Sequence, residues 1–157
     1  MKVILLAVGK CRDKAVLSLC DEYTKRLGPY WPTQVAEVTA KVSSADAEHQ
    51  EIEKFLSKLK TQTGAGGLRI IALDERGKQF SSRDFSQKLT HFEETGCHTL
   101  VFIIGGADGH TEALRQQADL LLGLSKLTLP HMLVRPVILE QIYRAATIKD
   151  NHPYHRD

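Results

Sequence analysis

Five apolar runs punctuate the chain: "VILLAVG" at 3–9, "TQVAEVT" at 33–39, "LRIIALD" at 68–74, "TLVFIIGG" at 99–106 and "LGLSKLTL" at 122–129. Most are rich in β-branched residues and nearly continuous in hydrophobicity, the pattern of strands covered on both faces. Between them apolar residues recur at helical spacing over 13–27, 44–61, 82–94 and 111–119, and again over 136–148. Local signals agree. Gly28-Pro29 and Gly96 stop the first and third helices, and Ser81-Ser82-Arg83-Asp84 offers the third a capping box. Pro136 suits the first turn of the last helix. Strand and helix therefore alternate five times, which predicts one α/β domain over 1–157, a mostly parallel, doubly wound sheet with helices on both faces. A chain of this length buries about two-thirds of its unfolded surface, enough for one real core.

In such a sheet, ligands bind beyond the carboxyl ends of the strands. The segments leaving the last three strands are "LDERGK", "IGGADGH" and "LSKLTLPH". Gly105 and Gly106 could bring bare amides close to a ligand, or simply make a tight turn shaped by Asp108. Neither G-x-G-x-x-G nor G-x-x-x-x-G-K-[ST] is present, which argues against a dinucleotide or a P-loop triphosphate. Leu124, Leu127 and Leu129 could floor a flat ligand whose polar edge meets main-chain groups around Ser125, Lys126 and Thr128. The alternative is an edge strand stopped by Pro130, with His131 an ordinary hydrogen-bonding residue. "TQTGAGG" at 61–67 is Gly-rich but precedes a strand, the wrong side for a phosphate cradle.

A net charge of +2 and a pI near 8.4 are only mildly basic, although the first 41 residues hold seven Lys/Arg against four Asp/Glu. That is short of the basic signature which alone argues for nucleic acid. Cys11, Cys20 and Cys97 are odd in number and lack CxxC spacing, so no disulfide framework or thiolate zinc site is expected, and a reducing cytoplasm fits. "MKVILLAVGK" is too short for a signal-peptide core, and no run approaches the roughly 18 apolar residues that span a membrane.

The last seven residues, "NHPYHRD", are denser in chemistry than a fraying end needs. His152, Tyr154, His155 and Arg156 can stack on a ring, donate to a phosphate and move a proton near neutral pH. His152-x-x-His155 has neither H-E-x-x-H nor a cysteine pair beside it, so no metal is expected. In "PVILEQIYRAATIK", Val137, Ile138, Ile142, Ala145 and Ala146 form an apolar face for the core or a subunit interface. Glu140 and Arg144 stand at i, i+4, either as a surface ion pair or as a pair that aims Arg144 at an anionic substrate.

Together "AVGK", "EYTKRLGPY", "LDERGKQFSS", "VFIIGGADG", "LSKLTLPHMLVR", "EQIYRA" and "HPYHR" run in order along the whole chain. They resemble the RlmH family, SPOUT-type methyltransferases that modify N3 of a pseudouridine in 23S ribosomal RNA. The resemblance implies a C-terminal part threaded into a deep trefoil knot, an exception to the rule against knots. It also implies S-adenosylmethionine as donor, a homodimer packed through the knotted region, and the large subunit or assembled ribosome as substrate. Carried over by position, the donor contacts are Leu73, Gly105 and the run Leu124, Ser125, Lys126, Leu127, Thr128 and Leu129.

The tail is where the resemblance places RNA. His155, with His131 or Glu140 as second choice, is expected to accept the N3 proton. Tyr154 is expected to stack on or bond to the base, Arg144 and Arg156 to neutralise phosphate, and His152 to meet the RNA. The tail could complete its own pocket or the partner's. Two positions depart from the family pattern: His110, where an apolar residue is expected, and Pro136, where valine is common. Low net charge favours the assembled ribosome over naked RNA. A non-catalytic ribosome-associated RNA-binding module is the rival, and it would bind RNA without the donor. A flavodoxin-like domain is disfavoured, because "GKCRDK" follows the first strand in place of a Ser/Thr/Gly phosphate loop.

Overall fold

The computed structural model describes residues 1–155. Its elements run β1 (Lys2–Val8), α1 (Lys14–Leu27), β2 (Thr33–Val38), α2 (Ala45–Thr63), a 3₁₀ turn (Ala65–Gly67), β3 (Leu68–Lys78), α3 (Ser82–Glu94), β4 (Thr99–Ile104), α4 (Glu112–Gln117), β5 (Leu120–Leu122) and α5 (His131–Lys149). The strands make one parallel sheet in the order β2-β1-β4-β3-β5. The near-continuous apolar runs have the cause expected of them. On β1, Val3, Leu5 and Ala7 join the core under α1, α3 and α5, while Ile4, Leu6 and Val8 join a second core under α2 and α4. Alternate side chains thus point to opposite, equally covered faces.

Helix ends follow the local signals. Asp13 caps α1 by accepting from the Ala15 N–H at 2.8 Å. Ser81 Oγ accepts from the Asp84 N–H at 3.1 Å and donates to Asp84 Oδ2 at 2.7 Å, which caps the N-terminus of α3. Gly96, at φ +88°, turns the chain after that helix. All three cysteines are free and buried. Burial, then the neighbouring Cys11 thiol, pushes the Cys20 thiol up to about 11. Among the described residues no helix is long and apolar enough to cross a membrane.

The C-terminal third corrects two sequence expectations. The fifth strand covers only Leu120–Leu122, not 122–129. A Cβ on Gly77 would lie 2.4 Å from Gly123 N, so the two main chains are in close contact there, and the Gly123 N–H donates to the Lys78 carbonyl at 3.0 Å. Beyond that contact, residues 123–130 run as an irregular loop. The second correction concerns α5, which begins at His131 and carries Pro136 buried in its interior rather than at its first turn. The N–H groups of Leu133 and Val134 donate to the Pro130 carbonyl at 2.9 and 3.1 Å. Arg135, 1% exposed, reaches Glu37 Oε1 at 2.5 Å and the carbonyls of Gly9 and Val8 at 2.7 and 3.2 Å. This buried clamp fixes the first turns of α5 onto the ends of β1 and β2.

Candidate active site

Strand ends converge where a doubly wound sheet should hold a ligand. The ends of β3 and β4, the loop 123–130 and the start of α5 enclose a cleft of about 800 Å³. Leu73, Gly105 and all six residues from Leu124 to Leu129 line it, and so does His131. Eight donor-site expectations drawn from three separate stretches therefore meet in one place. Leu124 is half-buried against the core, as a floor requires, and Leu129 is half-buried too. Leu127 is 77% exposed, so it is not part of the floor. Ser125 Oγ accepts from the Leu127 N–H at 2.9 Å, which bends the loop into a small hydroxyl turn. The volume suits a nucleoside-sized ligand, and the lining mixes apolar strand ends with polar and charged residues such as Asp74, Arg115 and Lys126. S-adenosylmethionine fits that combination.

The glycine turn after β4 is braced differently from the sequence expectation. The Gly106 N–H is not bare, because it donates to Glu48 Oε2 at 3.2 Å. A Cβ on Gly105 would come within 3.0 Å of the His110 ring. Protein side chains, not a ligand, fill the space these glycines leave. The turn is closed by the main chain, the Gly109 N–H donating to the Gly106 carbonyl at 3.2 Å with Gly109 at φ +70°. His110, the departure from family pattern, is 5% exposed and places Nε2 3.0 Å from the Leu73 carbonyl. That carbonyl only accepts, so the ring proton is on Nε2. Burial pushes this imidazole down, against the pull of Leu73 and Asp74. Next to it Arg115 Nε donates to Asp74 Oδ2 at 2.7 Å. Sequence reasoning missed Glu48 and the Asp74–Arg115 pair.

A second cluster lies at the other end of α5. The Tyr154 ring packs edge-on against Tyr143, centroids 4.7 Å apart, and its hydroxyl donates to Glu140 Oε1 at 3.1 Å. Arg144 Nη2 donates to the same oxygen at 2.5 Å, its guanidinium lies 5.1 Å over the Tyr154 ring, and Gln141 Nε2 donates to Glu140 Oε2 at 2.6 Å. The Glu140–Arg144 pair is half-buried, with side chains 15% and 28% exposed, and is not a solvated surface pair. Its first effect is to raise the Arg144 pKa through the bond to Glu140. Burial, then bonds to Tyr23 and Glu140, pushes the Tyr154 hydroxyl far above its ordinary value, so it is a neutral donor. His155 Nδ1 stands 3.5 Å from Arg144 Nη1. A guanidinium only donates, which makes Nδ1 the acceptor and puts the proton of a neutral ring on Nε2. His152 is exposed, and its Nδ1 accepts from the Tyr154 N–H at 3.2 Å, shaping the tail. Arg156 lies outside the described residues. Among those described, no three His, Cys, Asp or Glu side chains gather as a metal site.

The two clusters do not meet within one chain. Arg144 follows His131 by thirteen helical residues and Glu140 by nine, roughly 20 Å and 14 Å along the axis. His131 stays with the cleft, whereas Glu140, Arg144, Tyr154 and His155 gather at the tail. Between them, Leu133 and Val137 leave an exposed apolar stripe on α5, 50% and 39% accessible.

The family model described as "Predicted SPOUT methyltransferase" matches residues 1–155. Relatives named ribosomal RNA large subunit methyltransferase H align end to end. Those of Paramagnetospirillum magneticum and Rhodospirillum centenum are 39% and 42% identical over 158 and 156 residues, with 99% of each chain covered. Two solved structures share the fold. One is a probable methylase family protein from Haemophilus influenzae, with TM-score 0.58, 11% identity, 95% of this chain and 66% of that one. The other is the SpoU methyltransferase AviRb from Streptomyces viridochromogenes in complex with AdoMet, with TM-score 0.50, 14% identity, 96% of this chain and 61% of that one.

Proposed function

The chain belongs to the SPOUT methyltransferase family, and from that premise we propose that it methylates N3 of a pseudouridine in 23S ribosomal RNA, acting on the assembled ribosome in the cytoplasm. The observation that carries the proposal is the convergence of Leu73, Gly105 and residues 124–129 on one cleft of about 800 Å³. S-adenosylmethionine bound there supplies an electrophilic methyl carbon. Its methyl group would pass to N3 as the sulfur–methyl bond gives way to a neutral thioether leaving group, while Leu73, Gly105 and residues 124–129 would hold the donor.

The chain's own residues position the base and take its proton. N3 of pseudouridine is an imide and carries a proton at neutral pH, so a base within hydrogen-bond reach must remove it. Glu140 already accepts three bonds and serves to hold Arg144 and Tyr154. His155 is the base. Its Nδ1 faces Arg144 until a phosphate of the RNA draws the guanidinium away, and the freed lone pair then receives the N3 proton. Tyr154 donates to or stacks on the base, and Arg144 and Arg156 meet phosphate.

The tail serves the partner's cleft in a homodimer. Val134 is the last residue of α5 to line the cleft, six positions before Glu140 and ten before Arg144, so the tail cluster sits roughly 9 to 15 Å further along the helix, beyond hydrogen-bond reach of an acceptor nitrogen bound there. The exposed side chains of Leu133 and Val137 on α5 supply an apolar face such a dimer would bury. The contact between the main chains at Gly77 and Gly123 supports the knotted path.

Calorimetric titration with S-adenosylmethionine tests the proposal. Saturable binding is expected, weakened at least about tenfold by Leu124→Arg, which puts a cation into a cleft meant for a sulfonium. No binding by the wild-type chain would favour the RNA-binding module.

A further inference from the structure

We propose that Glu48 is a positioning residue for the methyl-donor cleft, holding the glycine turn from behind so that its cleft-facing side keeps one shape. The proposal rests on the function given above and concerns a residue on the face of the sheet opposite α5.

Glu48 occupies an unusual place for a carboxyl group. It is 6% exposed and stands one helical turn before Ile52, in register with the buried stripe of Ile52, Leu56 and Leu59 on α2. An acidic group on an apolar stripe is costly unless hydrogen-bonded. Glu48 Oε2 accepts from the Gly106 N–H at 3.2 Å. The fit is steric as well as polar, since a Cβ on Gly106 would lie 2.4 and 2.6 Å from the two carboxyl oxygens. Gly106 and Glu48 therefore fill one another's space, and neither can change without moving the other.

What this contact positions is the cleft wall. Gly105, immediately before, lines the cleft with the His110 ring at its back, and the Gly109 N–H closes the turn on the Gly106 carbonyl. The helix itself has other anchors: three buried aliphatic side chains and the Ser44 cap, whose Oγ accepts from the Ala47 N–H at 3.3 Å. Releasing Glu48 thus frees the turn and leaves α2 docked. The loss appears in donor affinity before it appears in folding.

The test is donor affinity by calorimetry, with melting temperatures alongside, for the full-length chain and four variants. Glu48→Ala is expected to weaken S-adenosylmethionine about tenfold, because a buried N–H loses its acceptor, while its melting temperature stays within a few degrees of wild type. Glu48→Gln keeps an acceptor oxygen at the same reach and should recover affinity to within about threefold. Gly106→Ala should also weaken binding, yet cost little when added to Glu48→Ala, where the new methyl group enters vacated space. That non-additivity is a signature no general loss of stability imitates. Wild-type affinity in Glu48→Ala, equal costs of Gly106→Ala in both backgrounds, or failure of Glu48→Ala to fold would each overturn the assignment. The wild-type titration separates this question from the proposed function, since a chain that binds no donor at all contradicts that function before any variant is compared.

Discussion

Replacing His155 by alanine is expected to lower methyl transfer to ribosomes by about 100-fold or more, the usual effect of losing a general base, with donor affinity unchanged. The split follows from geometry. The donor cleft is built from the ends of β3 and β4, the loop 123–130 and the first turn of α5 as far as Val134, and the tail cluster lies roughly 9 to 15 Å further along that helix. His155 is not among the residues that line the cleft of its own chain, and the donor contacts expected there, Leu73, Gly105 and residues 124–129, are left in place. Mixed dimers carry the idea further. When His155→Ala chains are paired with Leu124→Arg chains and the heterodimer is purified through two tags, one intact cleft faces one intact tail. About half of wild-type activity should then return, because one of two equivalent sites is restored. If the tail served its own cleft, both sites would be dead and the heterodimer inactive. A His155→Ala enzyme with wild-type turnover would remove that residue from the mechanism.

Replacing Arg135 by leucine should destabilise the protein by about 3 kcal/mol at pH 7, the range seen when one partner of a buried pair is removed. For a chain of this size that is a fall in melting temperature of roughly 10 °C. The cost is large because leucine leaves Glu37 and the carbonyls of Val8 and Gly9 facing an apolar neighbour. The variant also has a pH signature. Burial raises the Glu37 carboxyl, but the Cys11 N–H and the bond and charge of Arg135 outweigh it, so its pKa lies below the ordinary 4.5. A carboxyl depressed on folding stabilises fully above its unfolded value, and that stabilisation is lost as pH falls through the lower folded value. Wild-type stability should therefore drop on acidification below about pH 4.5, and that limb should flatten in Arg135→Leu. An unchanged melting temperature and acid limb would show that the clamp contributes nothing. Donor affinity should fall as well, since Pro130, His131 and Val134 border the cleft.

Much of this molecule was legible in its sequence because its strands are covered on both faces. Continuous apolar runs such as "VILLAVG" and "TLVFII" became β1 and β4, and the cleft lies at the strand ends where the alternation of strand and helix put it. The C-terminal third was harder for identifiable reasons. The leucines of "LGLSKLTL" look like a strand, but β5 ends at Leu122, where its main chain comes into contact with Gly77, 46 positions before Gly123, and the chain then leaves the sheet. Pro136 looked like a helix start because no local signal reports a guanidinium held by β1 and β2. Glu48 did carry a signal, a carboxyl in step with Ile52, Leu56 and Leu59, and a helical wheel of α2 would have exposed it. The separation of cleft and tail was invisible, since it depends on how far α5 carries the chain before Tyr154 folds back on Tyr143.

The most direct measurement is transfer of labelled methyl from S-adenosylmethionine to ribosomes purified from cells lacking the modification, with bare 23S RNA alongside and the label located by mass spectrometry after digestion. One methyl per large subunit on N3 of a single pseudouridine, with bare RNA a much poorer acceptor, is the expected result. Donor binding without incorporation, or label on another base, would contradict the proposed function.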